Sequence, residues 1–171
     1  MALTTFLNAK ALTTESSTNV VRRMWDRLSS LPGGHLVFSR LVGRMAPYTS
    51  TIRANIEELR EGYSRVTLTD RHSVRNHLAC IHAIALANLA ELTGNIAVAY
   101  TLPDDARFIV AGIGIDYQKK ARGTITGECH CPPINTAAKQ EYQVRVLLKD
   151  EDGDVVAEGM LRTLVGPKET R

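Results

Sequence analysis

The chain has 171 residues, 44% of them hydrophobic, which suits one domain built on one core. Its net charge is only +3, and its 21 Lys and Arg are spread along the chain, which argues against nucleic acid as a partner but tolerates an anionic ligand. Three cysteines do not make a disulfide framework and agree with a reducing compartment; residues 1–19 lack the pattern of a secretory leader, and the apolar runs fall short of a membrane span, so the expectation is a cytoplasmic protein away from membranes.

Residues 1–19 are rich in Ser and Thr with little periodicity and read as a loose arm. Ser16, Ser17 or Thr18 caps an expected helix over residues 19–31, with Val20, Val21, Met24, Trp25 and Leu28 on one face, and Pro32-Gly33-Gly34 ends it. A second helix over 35–45 carries Leu36, Val37, Leu41 and Val42 up to Pro47. Two strands follow, over 51–59 and 63–69, with Arg60-Glu61-Gly62 as the turn between them.

The stretch 76–94, NHLACIHAIALANLAELTG, is apolar on every side, the mark of a buried helix. Asn76 is its expected N-cap and Gly94 its expected C-cap. Beyond it lie candidate strands at 96–102, 108–117, 123–131, 141–149 and 155–165. The fourth alternates cleanly, Tyr142, Val144, Val146 and Leu148 against Gln143, Arg145 and Lys149, and Asp152-Gly153 marks the hairpin into the last. Two strands, a long helix and then a run of strands make an α+β layout in which one antiparallel sheet covers one helix. Such a sheet leaves apolar surface for a second copy of the chain. The division expected is an N-terminal arm and helical extension over 1–48 and the α+β domain over 49–171.

A carboxylate on an all-apolar helix is costly unless something pairs with it or uses it, which singles out Glu91. His82 lies nine residues earlier, so on one continuous helix the two face opposite ways, about 13 Å apart along the axis. Two antiparallel helices at a two-fold interface would bring His82 of one chain to Glu91 of the other. The amides of the helix start can stabilise an oxyanion, and the segment 76–83 adds an Asn and two His, the parts of an acyl-transfer site. The plainer alternatives are a salt-bridged or solvated Glu91 and packing or capping histidines.

Asn76, His82 and Glu91, at spacings of six and nine, resemble the N-x5-H-G-G-x7-D/E signature of hotdog-fold acyl-CoA thioesterases of the phenylacetate-degradation and 4-hydroxybenzoyl-CoA type. The resemblance covers residues 51–165 and implies a curved antiparallel sheet around one helix, with two subunits forming two sites; the N-terminal helices are similar to an extension in a less characterised branch. It implies that Glu91 is the base or nucleophile, that Asn76 positions water, and that His82 with the Ala83 amide polarises the thioester carbonyl. Lys119, Lys120 and Arg122 would then meet coenzyme A phosphates, and Ile84 with Leu86 and Leu89 would border the acyl pocket. The implied substrate is an acyl-CoA, with no further cofactor, and the implied assembly is a homodimer or a dimer of dimers. Where the family has two glycines after the His, this chain has Ala83-Ile84, which narrows the approach to the backbone. Two other readings stay open: a dehydratase of β-hydroxyacyl thioesters, from His77 and Glu91 at a spacing of fourteen but without that family's proline-rich context, and a binding protein without turnover. Cys129-His130-Cys131 has no second pair to complete a metal site, and on a strand its His points away from both Cys. Residues 150–154 resemble a calcium loop but lack its length and closing Glu, so a hairpin turn is expected there.

Overall fold

The computed structural model describes residues 17–168; the arm expected over 1–19 lies almost wholly outside them. Helix α1 spans Val20–Leu28 and helix α2 Gly34–Met45, followed by a 3-10 turn, Thr49–Ile52. Strands β1 (Asn55–Arg60) and β2 (Tyr63–Leu68) lead into helix α3 (Ala83–Thr101), and β3 (Ala106–Tyr117), β4 (Ile125–His130), β5 (Gln140–Lys149) and β6 (Val155–Pro167) complete the chain. All six strands join in one antiparallel sheet of order β1-β2-β4-β5-β6-β3, so β1 and β3 are its edges.

The alternation read from the sequence sets the sheet's inner face. Val144, Val146 and Leu148 of β5 and Leu161 and Val165 of β6 are buried against α3, whereas Arg145 and Glu158 pair on the outer face at 2.6 Å. Twelve of the 19 residues of α3 are buried, so a helix with the length and hydropathy of a membrane span has its apolar surface satisfied by the sheet.

Helix α3 differs from the sequence expectation at both ends. Asn76 does not cap it. Its Oδ1 accepts from the Leu78 amide at 2.8 Å, its own amide donates to Cys80 O at 2.9 Å, and Ala79 takes a left-handed φ of 53°, so the capping tendency of Asn is used in a tight turn instead. The N-cap is His82, whose Nδ1 accepts from the Ile84 amide at 3.1 Å. At the other end the helix runs on through Gly94, and residues 96–102, expected as a strand, form its last turns up to Pro103. The β-branched Ile96 and Val98 are buried by tertiary packing, which overrides their strand preference.

Gly94 is a packing residue. A Cβ there would stand 2.9 Å from Leu161 Cδ1 and 3.2 Å from Val146 Cγ2. The sheet makes matching space: a Cβ on Gly159 would meet Ala90 Cβ at 2.9 Å, and one on Gly127 would meet Thr93 Oγ1 at 2.5 Å. Ser64 of β2 donates to Thr93 O at 2.7 Å, tying the sheet to the middle of the helix.

At the C-terminal end of α3, Asn19 caps two helices at once. Its Oδ1 accepts from the Arg22 amide at 3.0 Å, starting α1, while its Nδ2 donates to Ala99 O at 2.8 Å and Leu102 O at 2.9 Å, closing α3. Arg22 adds a cation there by donating to Tyr100 O at 3.0 Å, where the helix dipole favours positive charge. The expected caps at residues 16–18 are therefore replaced by Asn19, because only its two-sided carboxamide serves both helices.

Helix propensity alone predicts that Gly94→Ala stabilises the protein by about 1 kcal/mol. The packing predicts a loss of about 1–3 kcal/mol from overfilling, read as a lower urea midpoint with unchanged slope; a higher midpoint would refute the close-contact account.

Candidate functional site at the start and middle of the core helix

The loop entering α3 is held from three sides. Asp70 pairs with Arg75 at 2.6 Å and accepts from the Gly123 amide at 3.3 Å; Ile81 N donates to Ala121 O at 2.9 Å; His82 N donates to Val74 O at 2.8 Å. The hydrogen bond from Arg75 holds the Asp70 carboxyl below its usual range. This frame brings Asn76, His82 and Ala83 to the helix start, with residues 119–122 beside it through the Ala121 bond.

His82 is exposed, and an acceptor Nδ1 leaves its proton on Nε2, free to be donated outward. Ala83 is the first residue of the helix, so its amide has no intrahelical acceptor. The side chain of Ile84 is 55% exposed at the same end. Tyr117, from the end of edge strand β3, donates its hydroxyl to Ala83 O at 2.9 Å, and burial raises its pKa. The sequence reading used Tyr117 only as a strand boundary; the antiparallel return of β3 along α3, which brings it to the helix start, has no local signal.

Glu91 sits two turns further on, about 12 Å along the axis from Ala83. It is half-buried, and among the described residues no group hydrogen-bonds or ion-pairs with it. It belongs to a stripe left open by the sheet, Ile84, Ala87, Glu91 and Asn95, at helical spacing. His82 is the N-cap of the helix rather than an interior residue, and no hydrogen bond or ion pair joins it to Glu91 among the described residues. One chain therefore places His82 and Ala83 at the helix start, holds Asn76 in the preceding turn through Leu78 and Cys80, and sets Glu91 two turns further on.

Of the expected phosphate contacts, Lys119 is held by Asp150 at 2.6 Å and Asp154 at 2.7 Å, which raise its pKa. Lys120 and Arg122 are exposed. The acidic hairpin is thus a clamp for Lys119, turning at Gly153 with φ 85°. Cys129 and Cys131 are buried while His130 is exposed beside the Tyr63 ring, as strand alternation requires. Burial pushes their thiols up to about 12 and about 11, so both stay protonated at neutral pH.

A six-stranded antiparallel sheet curved over one long helix is the hotdog fold, and solved structures agree. A Pseudomonas aeruginosa protein of unknown function, described as a probable thioesterase, is 24% identical with a TM-score of 0.70, over 80% of this chain and 97% of that one. A thioesterase from Haemophilus influenzae is 14% identical with a TM-score of 0.64, over 72% and 85%. A structural-genomics protein is 29% identical with a TM-score of 0.75, over 86% and 98%. Within that fold the chain belongs to the family of the domain of unknown function DUF4442, whose model matches residues 34–165. A search of the curated proteins finds no match.

The Asp70 carboxylate carries a pH prediction. Because its folded pKa is depressed, its contribution is complete above the unfolded value of roughly 4 and is lost as pH falls through the folded value. Amide exchange in residues 70–82, corrected for intrinsic rates, should keep constant protection above about pH 5 and lose it progressively below about pH 4. Asp70→Asn should lower protection at pH 7 and remove the acid step; an acid step that persists in the variant would reassign it.

Proposed function

We propose that the protein is an acyl-CoA thioesterase whose two sites lie at a homodimer interface, each built from the α3 start of one protomer and Glu91 of the other. The observation that carries this reading is the placement of Glu91: a half-buried carboxylate without a partner among the described residues, on the open stripe of an otherwise buried helix.

Surface chemistry supports the same assembly. Strand β3 is a sheet edge of twelve residues, and Ile113 and Tyr117 on its inner face are each 46% exposed. A long apolar edge invites pairing with another chain. Pairing β3 with its own copy about a two-fold axis closes the edge and places two α3 helices side by side, running oppositely.

In this reading the thioester carbonyl oxygen lies at the helix start, taking hydrogen bonds from the Ala83 amide and from His82 Nε2, where the helix dipole favours developing negative charge. Glu91 of the other protomer takes a proton from water as the water oxygen attacks the carbonyl carbon, or attacks that carbon itself to form an anhydride that water then opens. Either route ends with the C–S bond broken, the thiol protonated and the acyl group released as a carboxylate. Asn76 has its Oδ1 occupied by the Leu78 amide, which leaves Nδ2 to orient the water. Ala83 keeps the amide donor that the family's glycine supplies; Ile84 narrows the space before it and favours acyl groups that are slender near the carbonyl.

A binding protein without turnover is the second reading, favoured by the exposed Ile84 at the entrance. Thiol release from a panel of acyl-CoAs separates the two. Wild-type protein should release thiol, and Glu91→Gln should lower kcat/KM by about a hundredfold or more with little change in KM. Unchanged release in Glu91→Gln would remove Glu91 from the chemistry, and tight acyl-CoA binding with no release from wild type would favour the binding protein.

A further inference from the structure

Helix α2, the 3-10 turn after it and β1 border an open cavity of about 550 Å³, at which Arg40, Arg44 and Arg53 are exposed. Arg40 and Arg44, one helical turn apart on α2, line it together with Arg53; Val42, Ile56 and Leu92 supply apolar lining. None of the three guanidinium groups forms an ion pair among the described residues. The acids of the adjoining strand are engaged elsewhere: Glu57 accepts from Thr67 Oγ1 at 2.9 Å and lies 3.8 Å from His35, and Glu58 takes Arg60 at 3.1 Å.

Two features separate this cluster from ordinary solvated arginines. Arg53 has φ 46°, the left-handed region that a residue with a long side chain rarely adopts, and such strain gathers where a side chain must be delivered to a site. Behind it, a fourth guanidinium, that of Arg71, is fixed by carbonyl oxygens, donating to Ile52 O at 2.6 Å, with its Nε buried and unpartnered among the described residues. Burial and the neighbouring charge of Arg53 both lower the Arg71 pKa, the mark of positive charges gathered without a counterion. Of the three cations the sequence offers for phosphate, Lys119 is already neutralised by two aspartates, whereas Lys120 and Arg122 are exposed without an ion pair among the described residues.

We propose that this cavity binds the phosphates of a phosphorylated ligand through Arg40, Arg44 and Arg53, while Val42, Ile56 and Leu92 take the adjoining organic part. Arginine forks match phosphate oxygens in pairs, and closely spaced phosphates offer enough charge for three of them. Resting on the reading of the protein as an acyl-CoA thioesterase, the source of those phosphates is the nucleotide end of coenzyme A. The cavity meets the core helix at Leu92, the residue after Glu91.

The test is calorimetric titration of the full chain at low salt with coenzyme A and, separately, with inorganic pyrophosphate. Wild type should bind coenzyme A, with pyrophosphate competing. The double variant Arg44→Ala/Arg53→Ala should raise the Kd for both at least tenfold, whereas Arg27→Ala, which removes an exposed charge of α1, should not change it. Arg53→Gly should bind coenzyme A more weakly without a lower melting temperature, since glycine accepts the left-handed backbone and a merely structural role would not spare stability. A coenzyme A Kd within twofold of wild type in the double variant overturns the proposal, as does pyrophosphate binding lost in that variant while coenzyme A binding persists. Thiol release is read separately: turnover with undisturbed coenzyme A affinity in the double variant sinks only the cavity, and affinity lost in that variant while wild type releases no thiol sinks only the thioesterase.

Discussion

Everything in this molecule depends on how closely one helix approaches one sheet. Ala90, Thr93, Gly94 and Ala97 of α3 are buried residues with small side chains or none, and Gly127 and Gly159 leave room beneath them. Packing at this distance has no slack, because interiors are filled to crystal-like density and an added methyl must displace something. The contact fixes the rotation of α3 about its axis, since only this face fits over the glycines. The opposite face is thereby fixed as well.

That second face is where chemistry becomes possible. With the small residues turned inward, Ile84, Ala87, Glu91 and Asn95 are turned out, and Glu91 avoids full desolvation without reaching open water. The free amide of Ala83 lies at the helix start, where Tyr117 donates to Ala83 O and His82 accepts from the Ile84 amide. A helix buried in its middle and open at its start offers a carbonyl-polarising end and a carboxylate on one rigid body, two turns apart. Their separation is too great for one carbonyl to use both in one chain, which is the physical reason the proposed sites are shared between protomers. Asn19 and Arg22 hold the far end of that body by taking up the last carbonyls of α3.

The strands were legible because a half-buried sheet imposes a period of two on side chains: β5 was read within a residue of its observed start, and its inward set of Val144, Val146 and Leu148 is buried as expected. The helix was legible as an apolar block, but its limits were not. Asn76 satisfies a turn as readily as a cap, Gly94 ends helices when exposed and packs them when buried, and Ile96 and Val98 carry strand preference in a helical setting; each choice is settled by tertiary contacts. Residue type singled out Glu91 and His82, since an acid and a His on an apolar stretch are few enough to notice, whereas Asn76 was read as a cap and took its site role only from the family resemblance. The Arg40, Arg44 and Arg53 cavity left no such trace, being assembled from a helix, a turn and a strained residue whose backbone angle no pattern announces.

The central claim, that each site takes its carbonyl-holding end from one chain and its carboxylate from the other, is tested most directly by mixing two inactive variants. Glu91→Gln lacks the proposed base in every site, and Asn76→Ala lacks the proposed water-positioning group in every site. In a mixed dimer, shared construction puts both defects into one site and leaves the other intact, so thiol release should return to about half the wild-type rate per mixed dimer. Mixed dimers that form, as shown by two different affinity tags, yet stay as inactive as either parent would contradict the account and place each complete site within a single chain.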